Sequence, residues 1–182
     1  MTGGFRRIDE DVVHAGFIFD LVTARFASPE GEVFSRDVVR HPGAVSVVPV
    51  TDDGRIVMVR QYRPALDALL LEIPAGKRDV ADEPPEETAQ RELAEEIGMR
   101  AGRLELLGTF ANAPGFSDEL SWVFLGRELT AVPREVQGVE ETHMTIESFT
   151  FDEARALIDD GGLIDTKSII GVLLAATRID GA

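Results

Sequence analysis

Hydrophobic and polar positions alternate along the first quarter of the chain in short runs rich in Phe, Val and Ile. Residues 15–26 and 33–39, split by Pro29-Glu30-Gly31, read as strands joined in hairpins. Residues 44–50 are almost continuously apolar, the pattern of a strand in a buried sheet, and Asp52-Asp53-Gly54 predicts a turn into a partner strand over 55–62. A strand over 69–73 ends at Pro74-Ala75-Gly76. The spacing then changes. Ala89, Leu93 and Ile97 recur every four residues, Pro84-Pro85 precede them and Gly98 follows, which predicts a helix over 86–97. Strands over 104–110, 119–125 and 144–151 and helices over 152–159 and 166–178 complete the pattern, the first of these two helices stopped by Gly161-Gly162. The expected fold is α+β, a mixed β-sheet flanked by helices, with no internal repeat or long linker.

Length is consistent with one globular domain that folds without staples. The absence of cysteine excludes disulfides, thiolate nucleophiles and Cys-ligated zinc, and suits a reducing cytoplasm. The net charge of -15 argues against nucleic acid, whose phosphate backbone needs clustered Lys and Arg, and the only lysines are Lys77 and Lys167. The longest apolar run, residues 169–176, is too short to span a bilayer. So acidic a chain can still bind a small phosphate ester where divalent cations offset its carboxylates.

The chemistry is concentrated between Gly76 and Met99. Glu92 and Glu96 are four apart and share a helical face, with Glu95 at its edge, while Ala89 and Leu93 form the opposing apolar stripe. Such a face is either a solvated acidic surface or a set of hard oxygen ligands for Mg2+ or Mn2+. His14, His41 and His143 show no metal-ligand spacing, and no G-x-S-x-G elbow surrounds Ser117.

Gly76, Glu83 and Arg91-Glu92-Leu93-Ala94-Glu95-Glu96-Ile97-Gly98-Met99 resemble the box of the Nudix hydrolases, G-x5-E-x7-R-E-U-x-E-E-x-G-U with U aliphatic. One extra residue separates Gly76 from Glu83, a lengthened loop before an intact helix. Gln61-Tyr62-Arg63, Leu71-Glu72-Ile73-Pro74-Ala75-Gly76 and Ala113-Pro114-Gly115-Phe116-Ser117-Asp118-Glu119 are similar to stretches of the ADP-ribose pyrophosphatases. A proline sixteen residues past the box glycine marks that subfamily, and Pro114 follows Gly98 by that interval.

The resemblance implies a Nudix fold, an α/β/α sandwich over 43–182, with a β-rich dimerisation segment over 1–42. It implies Mg2+ or Mn2+ held by Glu92, Glu96, Glu95, the Ala75 carbonyl and in some measure Glu83, with Arg91 orienting a glutamate. Arg60, Arg63, Gly76 and Pro114, Gly115, Phe116, Ser117, Asp118 and Glu119 are its substrate-binding positions, and Glu141 its general base, with Glu140 the fallback. The bland alternatives are a solvated strand face for Arg60 and Arg63, a plain turn for 114–119, a dipole-favoured acid for Glu83 and a solvated acidic loop for 137–142. The implied reaction is hydrolysis of ADP-ribose to AMP and ribose 5-phosphate by a cytoplasmic homodimer with no nucleic-acid or membrane partner. Another nucleoside diphosphate sugar, such as GDP-mannose, a dinucleotide, or a sensor that binds a nucleotide without turnover are the alternatives.

Overall fold

The computed structural model describes residues 2–134 and 138–179. The chain divides into two compact units, Met1–Gly43 with Ala111–Leu120, and Ala44–Phe110 with Ser121–Ala182.

The first unit is built on a three-stranded antiparallel sheet of β1 (Arg6–Ala15), β2 (Asp20–Ala27) and β3 (Val33–Arg40), in that order. This differs from the expectation of one strand over 15–26. The Gly16 N–H donates to the Phe19 carbonyl at 3.1 Å and to Asp20 Oδ1 at 3.2 Å, so residues 16–19 form a tight turn. Phe17, read as a strand residue, is 94% exposed at its tip. The partner strand β1 has no buried position and is tied to its neighbours by main-chain pairing and ion pairs, Arg25 with Asp9 and Arg40 with Glu10. Residues 111–120 join this unit through β3, because the Val39 N–H donates to the Phe116 carbonyl at 2.7 Å and the Asp118 N–H to the Val39 carbonyl at 3.2 Å.

The second unit carries two sheets. One, in the order β7-β4-β9-β8, consists of β7 (Ala75–Lys77), β4 (Ala44–Pro49), β9 (Leu120–Ala131) and β8 (Met99–Ala111), with β4 and β9 parallel. The other, β10-β5-β6, consists of β10 (Thr145–Phe149), β5 (Ile56–Arg63) and β6 (Ala68–Glu72). Alternation splits their side chains between two cores. Val48, Ile56, Met58, Val123 and Leu125 meet Ala154 of α3 (Phe151–Asp159) and Val172 and Ala175 of α4 (Thr166–Ile179). Val45, Val47, Val57, Val59 and Phe124 meet Ala89, Leu93 and Ile97 of α1 (Pro85–Ile97). Strands apolar on both faces therefore have helices on both faces, an α/β/α sandwich.

Two further details differ from the sequence reading. The strand expected at 104–110 begins at Met99, directly after the glycine that ends α1, and the acidic loop before β10 contains one helical turn, α2 (Val139–Thr142). Gln137 of that loop lies outside the described residues.

Candidate active site

α1 starts with Pro85 in its first turn beside Glu86 and Glu87, and stops at Gly98, whose φ of 63° lets its N–H close on the Leu93 and Ala94 carbonyls. Between these ends the acidic face is not solvated. Glu92, Glu95 and Glu96 are 7%, 7% and 4% exposed, so a solvent-facing carboxylate cluster is corrected to a buried one. Burial pushes the Glu92 carboxyl up to about 7 against the pull of Arg91, and the Glu96 carboxyl up to about 8 against a hydrogen bond from the Ala75 N–H. Burial raises Glu95 as well, again opposed by Arg91. Buried carboxylates with like-charged neighbours are costly and call for a cation.

The strand after the Pro74 break supplies the other wall. Ala75 and Gly76 pair with Ser46 and Val45 in β7 and β4, which aims the Ala75 N–H at Glu96 Oε2, 3.0 Å away. Gly76 is pressed onto Glu92: a Cβ there would lie 2.0 Å from the Glu92 carboxyl carbon. Position 76 must therefore be glycine for the Glu92 carboxylate to sit where it does.

Arg91 is the cation already among these acids. Its Nη1 donates to Glu92 Oε1 at 2.8 Å and Glu95 Oε2 at 3.4 Å, and its Nη2 reaches Glu83 Oε2 and Asp79 Oδ1, each at 3.5 Å. Glu83 also accepts from the Thr88 hydroxyl at 2.7 Å, which ties the lengthened loop to the helix. Among the described residues no three His, Asp or Glu side chains already form a cage for a metal. The donor set of Glu92, Glu95, Glu96 and the nearby Ala75 backbone fits Mg2+ or Mn2+ chemistry, in which water and substrate phosphate complete the shell.

Arg63 emerges from β5 beside a fourth buried acid, which sequence reasoning missed. Its Nε and Nη2 clasp Glu72 with both distances at 2.6 Å, and Glu72, 1% exposed, also accepts from Lys167, which pairs in turn with Asp165 at 2.9 Å. The charges of Arg63 and Lys167 both lower Glu96, which puts this network beside the carboxylate helix. A lone Glu within the apolar run Leu69–Ile73, and the scarcity of lysine, were the available signals. Arg60 is held by Glu147 of β10 at 2.6 and 3.2 Å.

Glu141 lies in α2, near enough that its charge raises both Glu92 and Glu95. Glu140 belongs to the same turn, and its side chain lies outside the described residues.

In the first unit, residues 113–117 form a turn in which the Phe116 and Ser117 N–H groups donate to the Ala113 carbonyl, and the Ser117 hydroxyl accepts from the Glu119 N–H at 3.1 Å. Pro114, Gly115, Phe116, Ser117 and Asp118 line a cleft of about 570 Å³. On its wall Phe26 stacks on its cross-strand partner Phe34 at 5.6 Å, Arg36 lies 4.9 Å over the Phe34 ring, and Arg40 reaches Asp118 at 2.9 Å. Phe34, Arg36 and Arg40 were not singled out by the sequence.

A buried glutamate trio on one helix, a glycine strand end pressed against it and an arginine among the carboxylates form one cluster whose oxygen donors suit a divalent cation. Residues 40–167 match the family model described as NUDIX domain, and the chain belongs to the Nudix family. Among curated relatives, the ADP-ribose pyrophosphatase of Mycobacterium tuberculosis (strain ATCC 25618 / H37Rv) is 41% identical over 169 residues, 93% of this chain and 82% of that protein. The ADP-ribose pyrophosphatase of Bacillus subtilis (strain 168) is 36% identical over 167 residues, 92% of this chain and 90% of that protein. The solved structure of an ADP compounds hydrolase superposes with a TM-score of 0.83 at 19% identity, covering 97% of this chain and 95% of that one, a likeness of fold.

Proposed function

We propose that this chain is a pyrophosphatase that splits ADP-ribose into AMP and ribose 5-phosphate with Mg2+, Mn2+ serving in its place, and that it acts in the cytoplasm as a homodimer. The observation that carries this reading is the burial of Glu92, Glu95 and Glu96, with Glu92 pressed against Gly76. Three desolvated carboxylates are a standing cost to folding that a nucleotide sensor has no need to bear. The choice of ADP-ribose rests on the two curated relatives that carry the name ADP-ribose pyrophosphatase over more than nine-tenths of this chain.

In this reading Glu92, Glu95, Glu96 and the Ala75 carbonyl hold the cation, with Glu83 as a further ligand. A divalent ion held there would supply positive charge to offset that of the pyrophosphate and Lewis acidity to activate water. Arg91 fixes the carboxylates through its fork, Glu141 takes the proton from the attacking water, and Arg63 faces substrate from its seat on Glu72. Arg60, Gly76 and residues 114–119 are assigned to substrate binding on the resemblance described above. Turnover of ADP-ribose, GDP-mannose and NADH is to be compared side by side with Mg2+ or Mn2+ supplied. The expected result is the highest kcat/KM for ADP-ribose, with AMP and ribose 5-phosphate as products. Equal or faster turnover of GDP-mannose would overturn the substrate assignment.

The dimer is assigned to the β1–β3 sheet, where Val12, Val13, Phe17 and Ile18 leave more than half of their surface exposed. Sedimentation at micromolar protein should give twice the chain mass; a strictly monomeric, fully active species would remove the second copy from the reading.

A further inference from the structure

The C-terminal end of α1 is electrostatically awkward. Its last turn holds Glu95 and Glu96 and no basic residue, so acidic groups stand at the pole where the helix dipole is already negative. The Glu95 carbonyl belongs to the group of terminal carbonyls for which a helix supplies no N–H of its own. Arg134 answers both demands from outside the helix. Its Nε donates to the Glu95 carbonyl at 3.2 Å, and its Nη2 donates to the Glu141 carbonyl at 3.1 Å.

The backbone that delivers Arg134 is fixed to the same helix end. The Val132 N–H donates to the Gly98 carbonyl at 2.9 Å, and a Cβ at position 98 would lie 3.2 Å from the Val132 carbonyl oxygen and 3.4 Å from the Arg134 Cβ. Glycine at 98 thus ends the helix and also lets the chain close over its end. On the far side, α2 is held by the Thr142 N–H and hydroxyl, both donating to the Gly138 carbonyl, and by the Met144 N–H donating to the Glu141 carbonyl at 3.3 Å.

We propose that Arg134 is a positioning residue: by clasping the main-chain carbonyls of Glu95 and Glu141 in one guanidinium, it sets the placement of Glu141 against the carboxylate helix. The proposal rests on the reading of Glu141 as the general base. The clasp takes hold of main-chain carbonyls and so does not depend on either carboxylate. The planar fork of arginine presents donors in a fixed geometry that spans two acceptors, whereas lysine offers a point charge that cannot hold both in one plane.

The test is a double-mutant cycle on the full chain with ADP-ribose and Mg2+, comparing R134A, R134K, E141Q and each of the two Arg134 variants combined with E141Q. R134A should lower kcat roughly 10- to 100-fold, the scale of a misplacement near 1 Å, with KM and the half-saturating Mg2+ concentration nearly unchanged. R134K should recover only a small part of that loss. In the E141Q background R134A should cost less than about twofold, because the group it places is already disabled. An equal loss in both backgrounds, or full recovery by R134K, would overturn the clamp, since either marks a general effect on stability or charge. Should R134A melt early, the R134K comparison in the two backgrounds decides between the same outcomes. Full activity of E141Q would overturn the base assignment itself and the proposal with it, whereas an impaired E141Q beside an unimpaired R134A would overturn only the role of Arg134.

Discussion

Glu96→Gln should remove most ADP-ribose turnover while making the metal-free protein more stable at alkaline pH. The first half follows from the ligand set. A cation contributes several kcal/mol of charge stabilisation at a reacting phosphoryl group, and at about 1.4 kcal/mol per tenfold in rate its misplacement corresponds to roughly 10²- to 10³-fold in kcat. The second half follows from burial. Glu96 has its carboxyl pushed from 4.5 up to about 8, and Glu92 from 4.5 up to about 7. An acid whose folded value is raised binds more protons in the folded chain, so its contribution to stability is fully present below the unfolded value of 4.5. It is lost as pH rises through about 7 for Glu92 and about 8 for Glu96.

Glutamine keeps the acceptor for the Ala75 N–H and never ionises, so it escapes this loss. In chelator, E96Q should melt above the wild type at about pH 9, with the difference closing by about pH 5. Saturating Mg2+ should raise the wild-type melting temperature at the alkaline end far more than that of the variant. Near wild-type turnover of E96Q in saturating Mg2+ would remove Glu96 from the ligand set, and a lower alkaline melting temperature in chelator would show that protein groups alone satisfy the ionised carboxylate. Glu92→Gln should follow the same directions over a narrower pH range.

The parts of this fold legible in the sequence are those governed by local period. The recurrence of Ala89, Leu93 and Ile97 at every fourth position fixed α1 to within a residue of its observed Pro85–Ile97, and the apolar run at 44–50 was the doubly buried β4. β1 was illegible because an edge strand with every residue exposed carries no buried alternation; its cross-strand partners, Arg25 for Asp9 and Arg40 for Glu10, are separated from it by a turn and a second hairpin. The turn at Gly16 was hidden by Phe17, Ile18 and Phe19, whose strand propensity the close of the hairpin overrides. At the site, residue types and spacing revealed the carboxylates but not their burial, since what covers a helix face comes from distant strands. Glu72 illustrates the difficulty: its partner Lys167 is 95 residues away, and only the fold brings them together. Arg134 was beyond reach for another reason, as it acts on main-chain carbonyls, which every residue possesses and no side-chain pattern records.

Glu141→Gln should lower kcat by roughly 10²- to 10⁴-fold, the range for loss of general-base catalysis, with KM changed far less. The carboxylates of α1 are poor candidates for this task, because Glu92, Glu95 and Glu96 lie on the face assigned to the cation and a carboxylate that holds metal is a weak proton acceptor. The base must come from another element. α2 brings Glu141 close enough for its charge to raise Glu92 and Glu95, yet it stands on a separate turn, with its backbone tied to the end of the carboxylate helix through Arg134. In the proposed reading that placement ties the backbone of the base to the carboxylate helix while keeping its side chain on a separate element. Because the E141Q change removes one of the charges that disfavour ionised Glu92 and Glu95, it should leave the alkaline stability in chelator unchanged or improved, so lost activity cannot be put down to lost folding. A loss of activity confined to E140Q would move the role one residue along the turn, and full activity in both variants would take α2 out of the chemistry altogether.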